Sequence, residues 1–267
     1  MTVLQLTSSS AATDGAWLAA ADVAAISAAL GVEYRLVGGI ATTLLTHVHG
    51  VADRVPARET ADADMGVSTS VCADPRLPEA LSRLGYTRED GSRFARDAPG
   101  ERRVIDVLVP SYLGKHEPNQ ELGSLVVDAV PGLSLALALP ATEVVLTAHL
   151  SSGSTVELSL LLPDVRAALV LKAYAYRERL TDRDAVDIWR LLESAESAGL
   201  GVGDWPTRVS GRDTAAYLHK FFGTAGAPGA RRASPVPRTQ ARVRLLVQKL
   251  VPRPGASDGT PPIPRVL

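Results

Sequence analysis

The sequence has a single cysteine, Cys72, so neither an internal disulfide nor a cysteine-built metal cluster is open to it. No uninterrupted apolar run approaches the roughly 18 residues that a membrane-spanning helix needs. The opening "MTVLQLTSSSAATDG" carries no basic residue ahead of its apolar ones and so lacks the build of a secretory signal. Together these absences predict a cytoplasmic chain that makes no use of a membrane. Tandem repeats are missing, and no Ser/His/Asp or Cys/His set stands out for nucleophilic catalysis. Gly38-Gly39 invites comparison with the dinucleotide fingerprint, but the third glycine and the later ribose-binding acid are not there.

What is there is an ordinary globular composition: 267 residues, 46% hydrophobic and 21% charged, enough for one large domain or two modest ones. The net charge of −1 hides an asymmetry. From Leu200 onward there are 11 Lys/Arg against 3 Asp/Glu, whereas the residues before it carry 17 against 26. A basic C-terminal third suits a polyanion such as RNA, and it equally suits a solvated helix and tail.

Apolar spacing predicts helices over residues 16–30, 74–86, 164–180, 181–200, 211–223 and 237–251, with Thr181 or Asp182 as an N-cap. Strands are expected at 32–37 and 60–68, and "GSRFARDAPGERRVIDVLVP" reads as a hairpin centred on "APGE". "GGIATTLLTHVHG" reads as a glycine turn entering a short helix, and residues 133–162 as mixed strand and short helix. By composition 223–237 is a linker. The expected class is α+β: a mixed sheet with flanking helices over residues 1–150, a mostly helical C-terminal subdomain over 151–252, and a flexible tail over 253–267.

The chemistry gathers in a few places. Asp62 and Asp64 stand at i and i+2 of a strand and so point to one face, where two carboxylates repel unless a cation lies between them. Asp106, flanked by Ile105 and Val107, is a lone acid in an apolar strand. If its strand neighbours that of Asp62 and Asp64, three carboxylates converge, the number a two-metal phosphoryl-transfer site needs. The Gly38-Gly39 turn opens a helix whose free N–H groups favour a phosphate. Lys172, in "AALVLKAYAY", must either snorkel to water or meet an anion; Arg177, five residues on, or Arg179, seven on, can flank the same anion. Asp184 and Asp187 share a helix face and can orient those cations, pair with Arg177 or Arg179, or hydrogen-bond a ribose or base. Asp182 reads as a cap-region acid, His47 and His49 as packing or surface residues, and Trp189 as core.

The order "GG … R-E-T-A-D-A-D … V-I-D-V" resembles the DNA polymerase β-like nucleotidyltransferase superfamily, and within it the AbiEii/MenT group of toxin nucleotidyltransferases from type IV toxin–antitoxin systems. The family's glycine pair, R-x-T-x-D-x-D strand and third carboxylate match Gly38, Gly39, Arg58, Thr60, Asp62, Asp64 and Asp106. Its lysine-and-arginine helix and R-D-x-x-D helix start match Lys172, Arg177, Arg183, Asp184 and Asp187, so the resemblance spans about residues 32–195. It implies a polymerase β-like core and an Mg²⁺- or Mn²⁺-dependent transfer of a nucleoside monophosphate from an NTP to a hydroxyl. Asp62, Asp64 and Asp106 would hold metal, with Asp106 also serving as base or its helper. Gly38, Gly39, Arg58, Thr60, Lys172, Arg177, Asp184 and Asp187 would hold the nucleotide, with Lys172 also catalytic in neutralising charge as it develops. The implied acceptor is the 3′ end of tRNA, with a cognate antitoxin as partner. A small-molecule acceptor would use the same carboxylates, and a catalytically silent nucleotide-binding module is a third alternative.

Overall fold

The computed structural model describes residues 1–98 and 101–255; the expected tail beyond residue 255 and the centre of "APGE" lie outside the described residues. The chain opens with β1 (Thr2–Thr7), then α1 (Ala11–Leu30). The Ser10 side chain accepts from the Thr13 N–H at the start of α1, and Gly31, in the left-handed region at φ 66°, ends it. β2 (Arg35–Val37) runs straight into α2 (Gly38–Val48), and β3 (Ala63–Gly66) follows a loop. Next come α3 (Thr69–Ala73), α4 (Arg76–Arg83), β4 (Thr87–Asp90), β5 (Arg93–Ala98), β6 (Glu101–Ser111), β7 (Glu117–Leu122) and β8 (Leu125–Pro131). α5 (Leu133–Ala138) leads to the hairpin of β9 (Thr142–His149) and β10 (Thr155–Leu162). The described residues from Val165 onward carry helices and no strand: α6 (Val165–Arg179), α7 (Asp182–Ser197), α8 (Val209–Phe222), α9 (Pro228–Ala233) and α10 (Pro237–Leu250). The class is α+β. Among the described residues no helix is long and apolar enough to cross a membrane.

Two sheets form. The smaller pairs β1 parallel with β9 and β9 antiparallel with β10. In the larger, β6 is the axis. One of its edges carries β3, in parallel over Ile105–Leu108, and β3 carries β2. The other edge is divided: β5 pairs antiparallel with Glu101–Asp106, and β8, backed by β7, pairs parallel with Leu108–Ser111. Asp106 therefore sits where β6 passes from one neighbour to another.

Because side chains alternate across a strand, register sorts the two faces. Leu36, Met65, Ile105 and Val107 share the face on which α1 packs and are completely buried, each contributing roughly 1.5–3 kcal/mol. Val37, Asp64, Asp106, Arg93, Leu108 and Asp128 are register partners on the opposite face. There, α6 packs against α2, α5 and β8, and one continuous core joins the sheets to α6, α7, α8 and α10.

Several expectations need correcting. The strand expected over 60–68 is confined to Ala63–Gly66, so Asp62 precedes it. The helix expected over 74–86 covers Arg76–Arg83, with the separate α3 before Pro75. The 223–237 linker contains α9, whose Gly229, Ala230 and Ala233 are buried. A Cβ on Gly229 would lie 2.5 Å from the Phe222 ring, so the small residues are there to pack rather than to flex. A division at residue 150 falls in the turn between β9 and β10, which pair with each other; the all-helical stretch begins at Val165.

Candidate functional site

The β2–α2 turn is built around glycine. Gly38 has φ 73°, and a Cβ on it would stand 1.6 Å from Asp64 Oδ2. A Cβ on Gly39 would stand 2.0 Å from Thr60 Oγ1 and 2.8 Å from Arg58 Nη1. The pair thus brings Arg58, Thr60 and Asp64 directly against the first turn of α2, whose N-terminal N–H groups have no side-chain cap.

Asp64 on β3 and Asp106 on β6 are register partners in the parallel ladder and share a face, with about 4.8 Å between their strands. Across the other edge of β6, Arg93 of β5 is the register partner of Asp106. Its guanidinium is a fork for Asp106, with Nη2 2.7 Å from Oδ2 and Nε 3.0 Å from Oδ1, and Nη2 also reaches Asp62 Oδ2 at 3.3 Å. Hydrogen bonding to Asp106, with the attraction of all three aspartates, outweighs burial and holds Arg93 firmly charged. Asp64 has no such relief. Burial first, then repulsion from Asp62 and Asp106, pushes its carboxyl up to about 7, against the weaker pull of Lys172 and Arg179.

Among the described residues no three His, Cys, Asp or Glu side chains form a ready-made metal cage. Arg93 holds Asp106 and Asp62, and of the three aspartates Asp64 alone is left without a hydrogen-bond donor. The donor set still suits a hard divalent ion. Two in-register carboxylates face one cleft, one of them carries uncompensated charge, and an ion there would replace a guanidinium that already bridges the other two.

The wall opposite comes from α6 and α7. Lys172 Nζ lies 2.7 Å from Asp187 Oδ2 and 3.6 Å from Asp184 Oδ1. Asp187, with a fully buried side chain, also takes Arg58 Nη1 at 2.8 Å and Arg190 Nη1 at 3.3 Å, and Arg190 extends to Thr43 on α2. Asp184 accepts from Arg179 at 2.9 and 3.1 Å and from the N-cap residue Thr181 at 2.7 Å. Lys172, Arg179 and Thr181 hold the Asp184 carboxyl below its ordinary range even though burial, the largest single effect, opposes them. Asp184 and Asp187 are therefore holders of cations in this structure.

Arg177 is placed elsewhere: it donates to Tyr217 Oη at 2.7 Å and to the Gly114 carbonyl at 3.0 Å. Arg179, not Arg177, lines the cleft with Lys172. Of the basic C-terminal residues, Arg242 pairs with Glu193 and Glu196, Arg232 with Asp182, and Lys249 with Glu196. Three of the eleven basic residues beyond Leu200 are thus paired within the fold. Cys72 is buried, its thiol pushed up to about 12 by burial, so it offers no nucleophile.

These groups enclose a cleft of about 500 Å³, lined by Gly38, Asp64, Asp106, Lys172 and Arg179 and, further along the sheet, by His116, Asp128 and Glu178. Arg93, His116 and Asp128 were missed by the sequence reading. Arg93 was within reach of it: counting outward from a hairpin centred on "APGE", which pairs Ala98 with Glu101, puts Arg93 opposite Asp106. Nothing in "HEPNQEL" announces a site. No family model matches the chain, and neither does any curated protein or solved structure.

Proposed function

We propose that the chain is a nucleotidyltransferase with a polymerase β-like core that moves a nucleoside monophosphate from an NTP to an acceptor hydroxyl and releases pyrophosphate. The observation that carries the reading is the in-register pair Asp64–Asp106 set against the glycine-built start of α2. A helix N-terminus with free N–H groups binds phosphate, and paired carboxylates beside it suit the cation that accompanies a triphosphate. The cleft of about 500 Å³ is within the range that holds small organic ligands.

In this reading the α2 N–H groups seat the phosphates. Lys172 and Arg179, fixed by Asp187 and Asp184, balance the charge that grows on the departing pyrophosphate. Asp62, Asp64 and Asp106 would hold Mg²⁺ or Mn²⁺, which when bound would polarise phosphoryl oxygens and offset their charge. Arg93 must release Asp106 for that to happen. Arg58 and Thr60 support the phosphate turn from below, and Arg177 lies outside the phosphate-facing set.

The resemblance to AbiEii/MenT toxins makes the tRNA 3′ end the favoured acceptor and an antitoxin the expected partner. A small-molecule acceptor is the second reading, favoured by the internal pairing of Arg232, Arg242 and Lys249, which leaves less cationic surface for RNA. A direct test incubates the protein with Mg²⁺, each α-³²P-labelled NTP and total tRNA, with Asp64→Asn and Asp106→Asn beside it. Label on tRNA that disappears in both variants supports the reading. An unlabelled tRNA pool, with NTP still bound, removes tRNA and leaves the small acceptor. Label that persists in both variants overturns the site.

A further inference from the structure

The cleft continues past Asp106 to a second polar pair that the carboxylate–phosphate arrangement does not use. His116 Nε2 lies 3.2 Å from Asp128 Oδ2. Asp128 is the register partner of Leu108, two residues beyond Asp106 on the same face. In strand order the face thus presents Asp64 on β3, Asp106 on β6, Asp128 on β8, and then His116 in the loop just before β7.

The chain goes to some trouble to place this pair. The β7–β8 ladder shifts register between Glu117 and Gln120, and within that bulge Asn119 takes a left-handed conformation at φ 57°. The result is that the Asn119 N–H donates to Asp128 Oδ1 at 3.0 Å, which fixes the carboxylate while its other oxygen faces His116. The loop before β7 is tied on three sides. Arg177 donates to the Gly114 carbonyl at 3.0 Å, Ser111 Oγ to Glu117 Oε2 at 2.6 Å, and the His116 N–H to Glu178 Oε1 at 2.8 Å. A carboxylate accepting from Nε2–H leaves Nδ1 of the neutral imidazole with a free lone pair.

We infer that His116, oriented by Asp128, is the proton acceptor for the attacking hydroxyl. This rests on the transfer reading above. If the triphosphate sits at the α2 end of the face, in-line attack on its α-phosphorus comes from the far side, towards β8 and β7. The acceptor's O–H bond breaks and its proton passes to Nδ1, while the oxygen bonds to the α-phosphorus. The bond from that phosphorus to the bridging oxygen breaks, and pyrophosphate leaves with the electron pair. Asp128 stabilises the imidazolium, which then returns its proton to water. The charged groups sharing the cleft with His116 are Asp64 and Asp106 from the sheet, Asp128 beside it, and Lys172, Glu178 and Arg179 from α6. Asp128 is a positioning residue, acting through the ring.

The test uses the full chain, Mg²⁺, labelled NTP and whichever acceptor the unaltered protein labels, with single-turnover rates measured from pH 5.5 to 9. His116→Gln should slow transfer by about 10²–10⁴-fold while NTP binding, measured without acceptor, stays within about twofold. Added imidazole should restore part of the rate of His116→Gly and none of that of Asp64→Asn. Asp128→Asn should lower the transfer rate with NTP binding still within about twofold, and should add little to the loss already made by His116→Gln. A His116→Gln protein that transfers within about twofold of the unaltered chain overturns the inference. So does a folded, NTP-binding His116→Gly protein that imidazole does not help. An unaltered chain that labels no acceptor overturns the transfer reading itself, and the inference with it.

Discussion

Asparagine at position 64 keeps the size of the side chain and deletes its charge, and the fold should be more stable for it at neutral pH in the absence of a divalent cation. The carboxyl rises from 3.8 to about 7 on folding, because burial and the neighbouring Asp62 and Asp106 disfavour its ionised form. A group whose pKa is raised in the folded state binds its proton more tightly there than in the unfolded chain. Its favourable contribution is complete below about pH 4 and is lost as pH rises through 7. A rise from 3.8 to about 7 corresponds to at most about 4 kcal/mol. For a chain of this size that amounts to a melting-temperature difference of about 5–10 °C between Asp64→Asn and the unaltered protein at pH 8, falling to about a quarter of that at pH 4.5. Thermal melts in EDTA across that range measure it. With Mg²⁺ added, the unaltered protein should recover most of the difference at pH 8, whereas Asp64→Asn should respond little. A variant less stable than the parent at pH 8, or a difference that does not change with pH, would refute the account of Asp64 as a carboxylate left without a counter-charge.

Three further expectations follow from the same geometry. Arg93→Gln frees Asp106 and Asp62, so Mn²⁺ should bind about tenfold more tightly by titration calorimetry; equal or weaker binding would show that the guanidinium does not occupy the ion's place. Asp187→Asn removes the buried negative charge that Lys172, Arg58 and Arg190 share and should cost about 3–5 kcal/mol in urea unfolding, against less than 1 kcal/mol if the hub is only decorative. Gly38→Ala adds a Cβ 1.6 Å from Asp64 Oδ2 at a left-handed residue, and NTP affinity should fall at least tenfold by fluorescent-nucleotide displacement. Unchanged affinity would place the phosphates away from that turn.

The helices and the β5–β6 hairpin were legible because their signals are local. Thr181 caps α7 with the side-chain bond that its residue type suggests, and the apolar "VIDVLVP" marks the buried half of β6. β7 was not legible, since "EPNQEL" has no apolar alternation and is a strand only through its pairing with β8. β1 alternates well, but its parallel partner β9 comes more than a hundred residues later, and no local pattern encodes that pairing. α9 was hidden by its composition, in which glycine and alanine read as a linker until Phe222 packs against Gly229. In the site, helix geometry alone settles which arginine accompanies Lys172. At 3.6 residues per turn, a residue five along points about 140° away and one seven along returns to within about 20°. Arg179 therefore faces the cleft, and Arg177 turns to the loop before β7. Arg190, three residues beyond Asp187 on α7, is within reach of spacing, but the rest of the role of Asp187 depended on its burial and on Arg58 and Lys172 from other parts of the chain, which spacing within α7 cannot disclose.

The divided edge of β6 has a consequence for how such a protein can change. The hairpin of β4 and β5 and the hairpin of β7 and β8 bond to different stretches of the same strand, Glu101–Asp106 and Leu108–Ser111, so a register slip in one is not transmitted to the other. The pairing of β3 with β6, which sets Asp64 beside Asp106, depends on neither hairpin. The β7–β8 hairpin is in this sense a separable part. Its turn, at Gly123–Ser124, can lengthen or shorten while the Asp64–Asp106 pair stays in place.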